Sequence, residues 1–399
     1  MAHGESGPVG PAAPEAVMRA RLGRECLYVP SCRFGLYLAL RHWCEPGGRV
    51  LMSPVNDDVI LFVVLAAGLR PVQAPLSATD GSLDVDAVPD SVWSGLSAVL
   101  TTNLYGHPDP AGRLRERCDR LGIALIEDAA HAIGSEVDGR PVGTFGDAAV
   151  FSLSKHAGAR AGGFLALADP ALRAPLEQAR DALLDPVALT AELAYAVRPY
   201  AEATVRALRL APAAWWALRL LGLQEREEIR MPLRSAELQR ALASAPSLSG
   251  FHSWVRVDMH DYRVAPGRLR WRRIARLLAR LDDRLAAHRA GTERLLATRW
   301  AAPGSAGARV QPLFRVPLLV HDRDAAVAAL ARRRITVGYL YDPPLDTYAG
   351  ERFTDPSPSP ANAARFAHHA LPVDPLRAGP VIDVLGAAGI EPARGLPGD

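Results

Sequence analysis

From residue 98 onward the chain repeats one pattern: SAVLTTN, the amphipathic AGRLRERCDRLG, IALIED, AAVFSLS and FLALAD. Short apolar runs separated by stretches of helical length predict strands covered on both faces, in a mostly parallel sheet whose crossovers are helices. Upstream, EPGGRVLMSP predicts a further strand, and DDVILFVVLAAGLRPVQAP a helix passing into the next. Open sheets of this class bind ligands beyond the carboxyl ends of their strands. The polar residues that end the apolar runs therefore carry the functional information.

Two of these endings stand out. IALIED closes on Glu127 and Asp128, and the run Ala148–Leu153 leads directly into Lys155. Of 46 lysines and arginines only Lys155 is a lysine, leaving 45 arginines. Charge alone does not explain that choice, since arginine supplies it everywhere else. What lysine adds is an amine that can lose its proton and condense with a carbonyl, which guanidinium cannot do. Lys155 also sits among serines and glycines, the texture of a loop at a strand end rather than of a charged helix face. A strand-end carboxylate and a later strand-end lysine are the two fixtures required by pyridoxal 5'-phosphate (PLP): an imine to the lysine, and a carboxylate that keeps the pyridine nitrogen protonated. The competing reading of Asp128 is a helix N-cap on the residues that follow.

The run EDAAHAIGSEVDGRPVGTFGDAAVFSLSK resembles the pattern of the DegT/StrS-type aminotransferases, PLP enzymes of the aspartate-aminotransferase fold that mostly aminate nucleotide-linked keto-sugars. The resemblance implies a large α/β domain with a mostly parallel sheet flanked by helices and a smaller C-terminal α+β domain. It further implies that Lys155 carries the cofactor, Asp128 pairs with the pyridine nitrogen, His131 contacts the ring or its 3-hydroxyl, and Ser152 touches the phosphate. The lysine loop is about two residues shorter than the family pattern, so Ser154 competes with Ser152. PSCRFGLYLAL resembles the family's phosphate-cradling helix N-terminus, with Cys32 and Arg33 where glycine and threonine are usual and Ser31 as the N-cap. Arg33 is either an added phosphate contact or a surface arginine. Asn103, with Tyr105 and His107, matches the loop at the cofactor's edge.

Other departures are equally specific. Where the family has an aromatic that stacks on the pyridine, this chain reads Asn56, Asp57 and Asp58. Glu228 replaces the asparagine that reaches the partner's cofactor phosphate, and the loop histidine after Tyr341 is missing. The implied activity is transfer of an amino group from an amino acid donor to a keto-sugar or related natural-product intermediate, by a homodimer. Two alternatives remain: a PLP enzyme of another reaction type, such as elimination or dehydration, or a degenerate homologue acting as a binding or scaffold subunit.

Composition bounds the rest. Hydrophobic residues at 49% and charged residues at 22% are ordinary for a globular protein, and a net charge of +3 spread along the chain does not imply nucleic acid. Cys26, Cys32, Cys44 and Cys118 show no metal-ligand or disulfide spacing, so no metal site is expected and a reducing cytoplasm fits. No signal-peptide pattern or membrane span is read. The expected organisation is a mobile segment at 1–24, a large PLP-binding domain at 25–245 with a helical insertion at about 171–223, and a linking helix and small domain at 246–399. The arginine-rich stretch from Arg268 is read as one long joining helix. In the small domain, strands are expected in LFRVPLLV and TVGYLYDPPL around the helix RDAAVAALARRRI.

Overall fold

The computed structural model describes residues 13–187, 230–256, 262–305 and 309–393. Nine strands belong to the first half: β1 Glu25–Val29, β2 Arg49–Met52, β3 Arg70–Gln73, β4 Ala98–Thr101, β5 Ala124–Asp128, β6 Glu136–Val137, β7 Arg140–Pro141, β8 Ala148–Ser152 and β9 Gly163–Leu167. Seven form one sheet in the order β1-β9-β8-β5-β4-β2-β3, while β6 and β7 pair as a small hairpin. From β8 to β3 all pairings are parallel, and β9 runs antiparallel to both β8 and β1. The mostly parallel sheet expected from the alternating runs is therefore present.

Six helices accompany these strands: α1 Pro14–Leu22, α2 Cys32–Trp43, α3 Asp58–Ala66, the short α4 Asp90–Trp93, α5 Ala111–Leu121 and α6 Arg173–Leu183. All nine residues of α3 are buried, as its unbroken apolar sequence requires. The Asp57 carboxylate caps it by accepting from the Val59 amide. Helix α5 is one-sided, burying Ala111, Leu114 and Cys118, and ends on Gly122 in the left-handed conformation. Successive strand residues feed opposite faces: Val150 joins the core under α2 and α3, whereas Ala149 and Phe151 join the core shared with α1.

Several expectations need correction. The segment 1–24 was expected to be a mobile lead-in, but residues 14–22 form α1, with Pro14 in its first turn, Gly23 as a left-handed C-cap, and Met18 fully buried. Its apolar side packs into the core with Ile274, Leu278 and Leu281. The arginine-rich stretch is two helices rather than one. After α7 Ser235–Ala243 and α8 His252–Val255 come α9 Arg268–Leu278 and α10 Leu281–Leu296, parted at Ala279 and Arg280. TVGYLYDPPL contains no strand. The partner of β10 Val316–Leu319 is β11 Ala370–Val373, which directly follows a helix.

The remaining helices are α11 Arg323–Arg332, α12 Leu345–Ala349, α13 Ala361–His369 and α14 Ala378–Ala387. The expected boundary at 245/246 does not coincide with the cores. Leu248, Phe251 and Trp254 pack with α3, and a separate core begins only at Leu295 and Trp300, closing over β10, β11, α11 and α14. Of the insertion at 171–223, residues up to 187 are described and include α6; the rest lies outside the described residues, as does Glu228. Among the described residues no helix is long and apolar enough to cross a membrane, and no group of His, Cys, Asp and Glu has the arrangement of a metal site.

If α1 is integral to the core, Met18→Ala should destabilise the protein by about 2–4 kcal/mol, as truncation of a buried methionine does elsewhere. Chemical denaturation of the variant measures this; a change within error would return α1 to a loosely attached lead-in.

Candidate active site

The carboxyl ends of β4, β5 and β8 lie side by side, since Thr101 pairs with Glu127 and Asp128 with Val150. Period-two alternation sends the two carboxylates of β5 to opposite faces. Glu127 is fully buried and accepts three backbone amides, from Gly143 at Oε2 (2.8 Å) and from Phe145 (2.8 Å) and Gly146 (2.6 Å) at Oε1. It braces the turn that launches β8. The same turn contains Gly143 at φ 91°, where a Cβ would lie 2.2 Å from the Phe151 ring. Only glycine fits there.

Asp128 is 4% exposed, and burial raises its carboxyl to about 6. Its Oδ1 accepts from the Ala130 amide (3.0 Å) and the Cys32 thiol (3.5 Å), and Oδ2 has no hydrogen-bond partner among the described residues. The Ala130 bond is the turn-capping contact of the competing reading, but it occupies one oxygen only. Burial together with the Asp128 carboxylate holds the Cys32 thiol well above its usual range.

Asn103, expected at the cofactor's edge, braces this carboxylate's backbone. Its amide donates to Thr101 Oγ1 (3.0 Å) and to the Asp128 carbonyl (3.0 Å), while its oxygen accepts from the Asp109 amide (3.1 Å). Both of its N–H groups are thus used within the chain. His107 faces Asp80 at 3.3 Å.

Lys155 lies in the turn after β8. Burial lowers its amine, an effect that Asp57 opposes. The Nζ atom stands 5.3 Å from the Phe314 ring centre and 5.7 Å from that of Tyr339. His131 stacks on the other neighbours of this wall: Phe314 at 5.1 Å and 19°, and Tyr105 at 6.3 Å and 10°, with Tyr341 stacked beyond Tyr105 at 5.6 Å. Burial, with Lys155 next, holds the His131 imidazole well below its usual range, so the ring is neutral.

Ser152 and Ser154 share a hydrogen bond between hydroxyls (2.9 Å). Ser152 pairs with Gly163, whose added Cβ would lie 3.4 Å from the Cys32 amide nitrogen, so the serines abut the N-terminus of α2. Ser31 caps that helix by accepting from the Phe34 amide. Arg33, expected as either a phosphate contact or a surface arginine, donates to the Val255 carbonyl (2.8 Å) and lies over the Tyr262 ring, a packing role that neither expectation named.

These residues fit PLP: a buried carboxylate with a spare oxygen, an amine lowered by burial, and two hydroxyls at a twelve-residue helix N-terminus suited to a phosphate. Asp57 stands near where a stacking aromatic was expected to be absent, and the aromatic wall is instead supplied by Phe314, His131, Tyr105 and Tyr341. Phe314 and Arg315 were missed in the sequence, because LFRVPLLV reads as a strand and their loop meets Lys155 only through the fold. A cavity of about 730 Å³ opens from this wall. Its lining contains Arg315, Arg334 and three tyrosines, and neither aspartate nor glutamate.

Residues 15–184 match the model of the DegT/DnrJ/EryC1/StrS aminotransferase family. The chain is similar to the L-glutamine:2-deoxy-scyllo-inosose aminotransferase of Streptomyces kanamyceticus, 35% identical over 136 residues, which are 34% of this chain and 32% of that one. It also resembles the dTDP-3-amino-3,4,6-trideoxy-alpha-D-glucose transaminase of Streptomyces venezuelae, 33% identical over 150 residues, 37% of this chain and 40% of that one. The matches therefore span between about a third and two fifths of these curated relatives. Among solved structures, an aminotransferase of the same family from Brucella abortus superposes with a TM-score of 0.65 at 17% identity, over 94% of this chain and 88% of that one. The S. venezuelae DesV complex with a ketimine intermediate gives 0.64 at 22% identity, over 94% and 88%. An E. coli GDP-4-keto-6-deoxy-D-mannose-3-dehydratase with bound hydrated PLP gives 0.66 at 14%, over 94% and 90%. At these identities the structures share the fold.

The raised Asp128 carboxyl has a measurable consequence. The folded protein holds this proton more tightly than the unfolded chain, so it loses stability as pH rises from about 4 to about 6. In the cofactor-free protein Asp128→Asn should remove that loss and raise stability at pH 7 by on the order of 1–3 kcal/mol. Thermal melts of both proteins across pH 4–8 test this: a variant no more stable than wild type at pH 7 contradicts the electrostatic assignment.

Proposed function

We infer that this chain, whose residues 15–184 match the model of the DegT/DnrJ/EryC1/StrS aminotransferase family, is a PLP-dependent aminotransferase acting on a keto-sugar or related natural-product intermediate. The observation that carries this reading is the pairing of Asp128, buried with one oxygen to spare, with a single lysine whose amine is lowered by burial, on adjoining strand ends. When bound, PLP supplies a protonated pyridine ring that acts as an electron sink.

The residues of this chain then have separable tasks. Lys155 is a nucleophile toward the cofactor carbonyl, because burial favours its uncharged amine. With PLP and an amino donor such as glutamate or glutamine bound, the free Lys155 amine would serve as the general base that takes up and returns the proton in the transfer. Asp128 holds the proton on the ring nitrogen through the oxygen not used by Ala130 and Cys32. Neutral His131 offers a flat face or a single N–H toward the ring region. Ser152, Ser154 and the N-terminus of α2 receive the phosphate. The acid-free cavity with Arg315 and Arg334 supports an anionic acceptor, such as a keto-sugar carried on a nucleotide diphosphate. A homodimer, the commonest closed assembly, belongs to the same reading, as does a cytoplasmic location for a chain with four free thiols.

Lys155→Ala should abolish both the visible absorbance of the PLP-loaded protein and transamination, because no second lysine exists to replace it. Borohydride reduction and peptide mapping of the wild type should find the label on Lys155. Asp128→Asn should retain PLP and lose turnover by about 10²-fold or more, since an amide does not hold the ring proton. A wild-type protein that stays colourless with PLP, or a label at the N-terminal amine alone, would overturn the assignment.

A further inference from the structure

The residue that follows the lysine, His156, is fully buried, and its imidazole takes no part in the chemistry above. Its Nε2 lies 2.8 Å from the carbonyl oxygen of Pro312. A carbonyl can only accept, so this nitrogen carries the hydrogen and Nδ1 is left bare. Nδ1 is buried without a hydrogen-bond partner. One residue further along the same segment, the Leu313 carbonyl is faced at 2.9 Å by Nδ1 of His288, from α10, which by the same reasoning donates to it. The two rings meet edge to face at 4.9 Å. Residues 312–313 are thus held through successive carbonyls by a contacting pair of imidazoles.

The next residue is Phe314, to which the lysine and the site histidine both relate. Its ring lies 5.3 Å from Lys155 Nζ, stacks on His131 at 5.1 Å and meets the His156 ring at 5.7 Å and 67°. Its backbone amide donates to the Tyr105 carbonyl (2.9 Å), so Phe314 is fixed from three sides. The lysine turn itself has few fastenings of its own: Gly158 N to Lys155 O at 3.2 Å, Ala159 N to Leu153 O at 2.8 Å, and Arg284 donating to the Ala157 carbonyl at 3.0 Å. None of these reaches the segment that carries the aromatic wall; among the described residues the hydrogen bond that links the turn to it is the one from His156 to Pro312.

We propose that His156 is a positioning residue for Lys155: as a neutral donor to Pro312, with His288 as its counterpart on Leu313, it fixes the distance between the lysine amine and the Phe314–His131 wall. Among the described residues, Arg284 and Arg315 act on both rings and the Asp374 carboxylate acts on His288. Burial, then the neighbouring His288, depresses His156 to about 3, in keeping with a ring that stays neutral wherever the protein is folded. The clamp is therefore one of shape and hydrogen bonding, and it does not switch in the physiological range. The value of fixing Lys155 rests on the reading of this lysine as the group that captures the cofactor carbonyl.

The test uses the single lysine. In the cofactor-free full-length chain grown on lysine labelled with ¹³C at Cε, Lys155 gives one NMR signal, and its titration reports the amine directly. His156→Leu keeps bulk and removes the donor; His156→Gln places an amide N–H where Nε2 was. We expect the Leu variant to shift the signal and move its titration midpoint upward toward an exposed lysine. Capture of PLP should slow roughly ten- to a hundredfold, the usual effect of an ångström-scale misplacement. The Gln variant should recover most of both. If the Leu variant does not fold, His288→Leu against His288→Asn releases the same segment at its neighbouring carbonyl and should move the Lys155 signal in the same sense. A Lys155 signal and midpoint unchanged in the Leu variants, or Gln and Asn variants no better than Leu, would overturn the proposal. A protein that never captures PLP while its lysine signal responds to His156 would instead remove the functional reading and leave the clamp.

Discussion

The three amides held by the Glu127 carboxylate are the constraint on which the site depends. A buried carboxylate is costly unless its oxygens are filled, and here the Gly143–Gly146 turn fills them. That turn is the approach to β8, so the residue before Asp128 sets the register in which Asp128 meets Val150. Ser152 and Lys155 then follow by chain geometry alone. Glu127 thereby fixes the relative height of the Asp128 carboxylate and the strand that precedes Lys155.

A second layer of order comes from backbone left in sparsely populated regions. Asn103 and Tyr105 both have positive φ, 43° and 57°, outside the comfort of most side chains. Their strain is offset by what the conformation permits: the Asn103 amide reaches the Asp128 carbonyl, and the Tyr105 carbonyl receives Phe314 and Arg315. The loop therefore joins the end of β5 to the segment before β10, although the two are far apart in sequence.

This division explains what could be read in advance. The alternating strands and their mostly parallel pairing were legible from local period and spacing, and Asp128 and Lys155 stood out as polar endings of two apolar runs, whereas His131 and Ser152 were expected only from the resemblance carried by the same stretch. Glu127 was visible as a carboxylate but not as a brace, since its partners lie 16 to 19 residues onward. Phe314, Arg315 and His288 were not legible at all. Each reaches the site by tertiary packing, and in sequence they resemble strand or helix residues of a separate unit. The missed α1 has a different cause: an Ala- and Pro-rich composition masked the buried Met18 and Leu22 at helical spacing. In the C-terminal unit, β-branched residues in TVGYLYDPPL suggested a strand, but the pairing edge of β10 is taken by β11.

The solitary lysine has a consequence for the outer surface. Arginine carries nearly all of the positive charge, and guanidinium does not condense with aldehydes under conditions where amines do. A reactive aldehyde that meets this protein finds one side-chain amine, half enclosed beside Phe314 and Tyr339. Selectivity for a carbonyl ligand would thus come by subtraction as much as by recognition: no second lysine competes, and an excess of such a ligand has only the chain's terminal amine left to decorate.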